Sequence, residues 1–177
     1  MKKVLGIGNA LVDVLVQVES ELILNELQLP KGSMQLINTE RYLKIQKRLE
    51  SLNKQLTTGG SACNTILAIA NLGGQPGLIG KVGHDEMATF FADNCVRHDI
   101  KANLLHAEQL PTGVASTFIT PDGQRTFGTH LGAAATLTAD DIKAEWFEGY
   151  DYFYIEGYLV QNHALIHRAV DLAHRAG

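Results

Sequence analysis

The chain has 177 residues, 45% of them hydrophobic, and a formal net charge of −4. That is enough apolar chain for one sizeable domain with a real core, and mild acidity without a long basic run argues against nucleic-acid binding through phosphates. Two cysteines, Cys63 and Cys95, sit in unrelated contexts, which argues against a disulfide framework or Cys-based zinc site and for a reducing cytoplasm, while no apolar run reaches the ~20 residues needed to span a bilayer.

The N-terminus, MKKVLGIGNALVDVLV, is basic and then apolar like a secretory signal. Asp13 interrupts it, Gly6 and Gly8 weaken it, and no small-residue cleavage site follows cleanly. Val4 to Gly8 reads as a short buried strand ending at Asn9. Gly6-Ile7-Gly8 invites a dinucleotide-binding reading, but the third glycine of that fingerprint falls on Leu11 and no helix pattern follows. Asp13 lies between Val12 and Val14. A carboxylate there either caps its own backbone in a bend or, near the end of a central parallel strand, points into the ligand crevice of an open α/β sheet.

Residues 14–18 alternate weakly and predict a second, more exposed strand. Pro30, Lys31 and Gly32 mark a turn, and Met34 to Ile37 is another short strand. Asn38 or Thr39 caps a helix running to about Asn53, with Tyr42, Leu43, Ile45, Leu49 and Leu52 on one side. The stretch from Thr57 to Gly73, TTGGSACNTILAIANLG, then opens on a glycine pair and passes into an almost wholly apolar run. Glycines let a ligand approach the backbone, and free N–H groups at a helix start attract oxygen-rich groups. With no polar face, this helix is expected to be buried on all sides; the bland reading is a tight loop before a core helix.

Gly77 to Val82 is a compact buried strand, and its Gly80-Lys81 is not a phosphate-binding loop, since Gln75 and Val82 replace the required glycine and hydroxyl. Gly83-His84-Asp85 turns into a helix over about 86–98, with Met87, Phe90, Phe91 and Cys95 as its apolar stripe. His84 and His98 read as surface residues. A strand over 102–106 and a Pro111-Thr112-Gly113 loop follow. Residues 115–120 and 125–130 flank Pro121-Asp122-Gly123, a strong hairpin signal; neither arm is very hydrophobic, so partial exposure is expected. Leu131 to Ala135 are small enough for a flat ligand or for tight packing. Thr138 and Asp141 form a capping box. Tyr152 to Tyr158, YFYIEGY, reads as a buried strand carrying one charge, Glu156, which is costly without a partner. His163 and His167 lie four apart on the last helix, but no adjacent Glu completes an HExxH metal motif, and no metal ligands are assigned. Strands alternating with helices predict a mostly parallel sheet with helices on both faces; the short strands at 14–18, 34–37 and the hairpin arms predict a separate small sheet.

These motifs, taken in order, resemble the N-terminal portion of the ribokinase-like, or PfkB, family of carbohydrate and nucleoside kinases. GIGNALVD at 6–13 looks like the family's first strand and its substrate-binding Asp, GGSACN at 59–64 like its first signature, and GKVGHDEMATFF at 80–91 like the strand and helix that follow. PTG at 111–113 with its hairpin looks like the lid, and YIEGY at 154–158 like the strand lining the substrate pocket. The resemblance covers the whole chain but about half of a typical member. It implies a three-layer α/β/α core at about 1–13, 39–110 and 131–177, with lid strands at about 14–38 and 111–130. Ile66 stands where the usual signature has a small residue, as in adenosine-kinase-like members, whose LAAA segment resembles Leu131 to Ala134. Glu156 instead resembles the sugar-kinase branch, so the acceptor stays open between adenosine and a simple sugar.

The resemblance implies transfer of the ATP γ-phosphoryl group to a sugar or nucleoside hydroxyl, with ATP and Mg2+ as cofactors. Asp13 would accept hydrogen bonds from two sugar hydroxyls, the backbone of Gly59 and Gly60 would let the sugar approach, and Asn64 would pair with a hydroxyl. Asn9, Ser61 and Glu156 would add contacts, and Met34, Leu36, Leu131 and Ala133 would form an apolar wall for a base or ring face. The family's GAGD-type motif with its catalytic base, and its magnesium-linked NxxE motif, do not occur in this string, so the base and the ATP-binding part are expected C-terminal to Gly177. Alternatives are a sugar- or nucleoside-binding module that is catalytically incomplete, or an unrelated nucleotide-binding domain suggested only by GIG at 6–8. Short exposed lid strands that need covering raise a homodimer through the lid.

Overall fold

The computed structural model describes residues 2–177. β1 (Lys3–Ile7) passes through a short turn into β2 (Leu11–Gln17), followed by α1 (Leu22–Glu26), β3 (Met34–Leu36), α2 (Thr39–Leu49) and β4 (Gln55–Gly59). Then come α3 (Ser61–Asn71), β5 (Gln75–Val82), α4 (Glu86–Arg97), β6 (Lys101–His106), β7 (Gly113–Ile119) and β8 (Arg125–His130). Short 3-10 turns lead to β9 (Tyr152–Ile155), and α5 (His163–Ala176) closes the chain.

Four strands form one parallel sheet in the order β6-β5-β1-β9. Its faces separate by the alternation of side chains along a strand. Leu5, Ile7 and Ile79 pack with Leu165, Ala169 and Leu172 of α5. Leu78 and Val82 pack with Cys63 and Ile66 of α3 and with Phe91 and Cys95 of α4. The result is the expected α/β/α sandwich around a mostly parallel sheet.

The other five strands form a second sheet in the order β3-β8-β7-β2-β4. It takes in residues 11–13 and 55–59, which the sequence reading assigned to the core. Asp13 thus lies mid-strand in β2, paired with Thr57 of β4 and Ala115 of β7, not at the end of a central parallel strand. Val12 and Ala10 pack with Ala62, Ile66 and Leu78, so the turn after β1 carries one core into the next. Beneath the second sheet, Val14, Val16, Val114 and Phe118 meet Ile23, Leu24, Ile45 and Leu49 of α1 and α2.

Three expectations change. The α3 helix is not buried all round: Ala62, Cys63 and Ile66 face inward while Asn64 and Ala68 are exposed, because sheet covers only one of its sides. The hairpin arms are mostly buried, with Ser116, Phe118 and Thr126 sealed from solvent. Their small and polar side chains fit against α2 and find partners there: Gln46 donates to Ser116 (3.4 Å) and Tyr42 stacks on His130 at 4.7 Å. Finally, YFYIEGY is an edge strand ending at Ile155, and Tyr152 and Tyr158 are exposed.

Candidate functional site

Two backbone turns meet, the one after β1 and the one that joins β4 to α3. Gly60, the residue before α3, has φ +93°, a conformation that favours glycine. A Cβ there would also collide with the Asn9 carbonyl oxygen. Neighbouring Gly59 lies against the Asp13 carboxylate so closely that a side chain would displace it. The glycine pair therefore brings β1, β2 and the start of α3 into van der Waals contact, and the backbone at this corner is bare.

Glu156 follows β9 and is 1% exposed. One carboxylate oxygen accepts from the Asn9 N–H (2.8 Å) and from the Asn9 side-chain amide; the other accepts from the Ala62 N–H at 3.0 Å. The negative charge thus sits at the N-terminus of α3, where helix N–H groups favour it. The carboxylate that looked solitary in the sequence has protein donors on both oxygens.

Asp13 is half-buried. Burial raises its carboxyl above the ordinary carboxylate value, and the Arg125 guanidinium partly offsets this. Below the corner, Cys63 and Cys95 are free and buried. Burial, then the neighbouring Cys95, pushes the Cys63 thiol up to about 12, so it is an inert packing group.

A cavity of about 720 Å³ opens above the corner, within the range of small-molecule sites. Asn9, Gly60, Ser61 and Glu156 line its polar end. Met34, Leu36 and Leu131 line an apolar wall, and the first two remain 46% and 62% exposed. Asp13 and Gly59 are not in this lining; Gly59 adjoins Gly60 in sequence and the Asp13 carboxylate lies against Gly59. Asn64 is exposed one turn into α3, its N–H bonded to the Gly60 carbonyl. Ala133 does not reach the cavity: it is fully buried, with its N–H on the Pro111 carbonyl, and Ala134 and Ala135 form the lining instead.

Sequence reasoning missed Leu11 and Thr129, and with them a second wall, Tyr158, Gln161 and His163, on the β9–α5 connection. Strand alternation could have found Thr129, two residues before Leu131. The second wall has no local signature, because only the folding of α5 onto the first sheet brings it opposite β3. His163 lies on this wall, but no group of three or more His, Cys, Asp or Glu side chains among the described residues could hold a metal. Among the described residues no helix is long and apolar enough to cross a membrane.

The pfkB family carbohydrate kinase model matches residues 34–177. A curated relative, the aminoimidazole riboside kinase of Salmonella typhimurium, is 34% identical over 102 residues, covering 54% of this chain and 30% of the relative. Among solved structures, an adenosine kinase from Sinorhizobium meliloti superposes with TM-score 0.84 at 31% identity, and a probable sugar kinase from Rhizobium etli with 0.86 at 30%. Each covers 99% of this chain and 54% of the other, so this chain spans about half the length of those structures. With the family motif region matched and the ribokinase-like fold in place, the chain belongs to the pfkB family of carbohydrate kinases.

Proposed function

We propose that the protein transfers the γ-phosphoryl group of ATP to a hydroxyl of a sugar or nucleoside, and that the described residues supply the acceptor site and its lid. The observation that carries this reading is the two-ended cavity: a bare-backbone polar corner beside a carboxylate, continuous with an apolar wall. A sugar ring bearing an apolar substituent has the same two-ended character.

In this reading Asp13 accepts hydrogen bonds from two neighbouring hydroxyls. Gly59 and Gly60 let the ring approach the backbone, Asn64 and Ser61 add polar contacts from the start of α3, and Asn9 is held in place by Glu156. Met34, Leu36 and Leu131 cover the substituent's face. The acceptor oxygen attacks the γ-phosphorus, the bond to ADP breaks, and the acceptor's proton passes to a base that is not assigned among the described residues. ATP would supply the phosphoryl group, and bound Mg2+ would neutralise its charge. The five-stranded sheet covers the acceptor and keeps water from competing for the phosphoryl group. Two free buried thiols suit the cytoplasm, and a lid-to-lid homodimer would cover the outward β3.

The test is Asp13→Asn, followed by ADP release with adenosine or ribose as acceptor. Losing a charge-assisted pair should reduce acceptor kcat/KM at least about tenfold with little change in ATP affinity. Unchanged acceptor kinetics would sink the reading. Calorimetric binding of either acceptor without ADP release would favour the binding-module alternative.

A further inference from the structure

Thr129 is the polar residue in the apolar wall. It sits on β8 between Phe127 and Leu131, on the face opposite His130, and pairs with Leu36 of β3. It is 7% exposed and lines the cavity. Among the described residues its hydroxyl has no hydrogen-bond partner, yet the fully sealed side-chain atoms that lack one are Asn103 Nδ2 and His130 Nδ1. The Thr129 hydroxyl is therefore open to solvent, and the residue borders both this cavity and a smaller one beside Thr39 and Leu110. A ligand that seals this hydroxyl from water without bonding it bears the cost of an unpaired buried hydroxyl, so the wall favours a ligand with a polar group there.

The pairing of the second sheet fixes where this hydroxyl lies. Thr57, Asp13, Ala115, Thr129 and Leu36 form one row across its five strands. Asp13 and Thr129 are two strands apart, roughly 10 Å at the usual strand spacing, with only the Ala115 methyl group between them. A ligand holding its hydroxyls at Asp13 thus presents its far portion to Thr129. That portion meets Leu36 and Leu131 on one wall and the Tyr158 ring, 71% exposed, on the other. Leu36, Leu131 and the Tyr158 ring give further sugar hydroxyls no partner, while Gln161 and His163 are the polar groups of the second wall. A planar heteroaromatic ring has apolar faces for Leu36, Leu131 and Tyr158 and a polar edge for the Thr129 hydroxyl.

We infer that Thr129 is a specificity-determining residue that hydrogen-bonds the heteroaromatic base of a nucleoside acceptor, so that the site selects nucleosides over free pentoses. This rests on the proposed acceptor site. The test is calorimetric titration of the protein with adenosine and, separately, with ribose, using the wild type, Thr129→Val and Thr129→Ser. Valine keeps the branched shape and strand preference but removes the hydroxyl; serine keeps the hydroxyl. Expected are an about tenfold loss of adenosine affinity in Thr129→Val, a change within about twofold in Thr129→Ser, and unchanged ribose affinity in both. Equal adenosine affinity for wild type and Thr129→Val, or parallel losses for adenosine and ribose, overturns the inference and leaves the acceptor site standing. A wild type that binds ribose but not adenosine does the same. A wild type that binds neither overturns both.

Discussion

Glu156 shows how one side chain can be legible in type while its partners are not. Its burial was evident from the aromatic sequence around it, and so was the need for a partner. The partners were not, because Asn9 and Ala62 are distant in sequence and meet Glu156 only when β1 and β9 pair in parallel. With both oxygens engaged, its main work is to clamp the turn after β1 to the start of α3. Glu156→Ala would orphan three donors, at about 1–3 kcal/mol each before relaxation. Thermal unfolding should therefore show a loss of about 3–5 kcal/mol, larger than for Glu156→Gln, which keeps one acceptor. If Glu156→Ala unfolds like wild type and only acceptor binding falls, the clamp is not its role and direct ligand contact is. Asp13 is the contrasting case: its pairing was misplaced, but its isolation among apolar neighbours was correctly read, and burial does raise its carboxyl.

At the level of elements, what the sequence announced was whatever local chemistry dictates. Pro121-Asp122-Gly123 gave the hairpin, Asn38 and Asp85 cap α2 and α4, and Thr138 with Asp141 forms a capping box on a 3-10 turn. What it did not announce was β4, a polar QLTTG strand held by its pairing to β2, or α1, too short for a periodic signal. Asp85 ties such elements together. It accepts from the Ala88 N–H at 2.9 Å, and from the Thr112 N–H and hydroxyl at 2.7 and 2.6 Å. The loop before β7 is thereby locked to the α4 N-terminus. Burial alone would raise the Asp85 carboxyl, but the Thr112 and Ala88 hydrogen bonds outweigh it and hold it below the ordinary value. A depressed carboxylate stabilises above its unfolded pKa, and that stability is lost as pH falls through the folded one. Asp85→Ala should lose about 2–4 kcal/mol at neutral pH, from the cap and the loop bonds together. The deficit relative to wild type should shrink below the ordinary carboxylate pKa of about 3.9. Denaturant titrations at pH 7 and pH 3 measure this, and an equal deficit at both would mean that charge is not what Asp85 contributes.

Across the whole molecule, the cavity lies between two sheets that share little but the turn after β1 and the flank of α3 and α4. The first sheet supplies Glu156, and its α5 connection supplies Tyr158 and Gln161; the second supplies Leu36, Thr129 and, alongside, Asp13. A ligand in the cavity touches both, so its binding energy opposes any opening of one sheet from the other. β3 should feel this most. It is a three-residue edge strand paired only to β8, and a ligand filling the cavity would add cover to Met34 and Leu36. Amide hydrogen exchange with and without saturating adenosine would read this directly. At one hundred times its Kd the ligand adds about 2.7 kcal/mol to any opening that releases it, which corresponds to slowing of up to about a hundredfold. The expected slowing lies in 34–36 and 125–130, with β5 and β6 in the first sheet changing little because they do not line the cavity. Uniform slowing across both sheets would mean that they open as one unit, and no slowing in 34–36 would mean that the apolar wall does not close on the ligand.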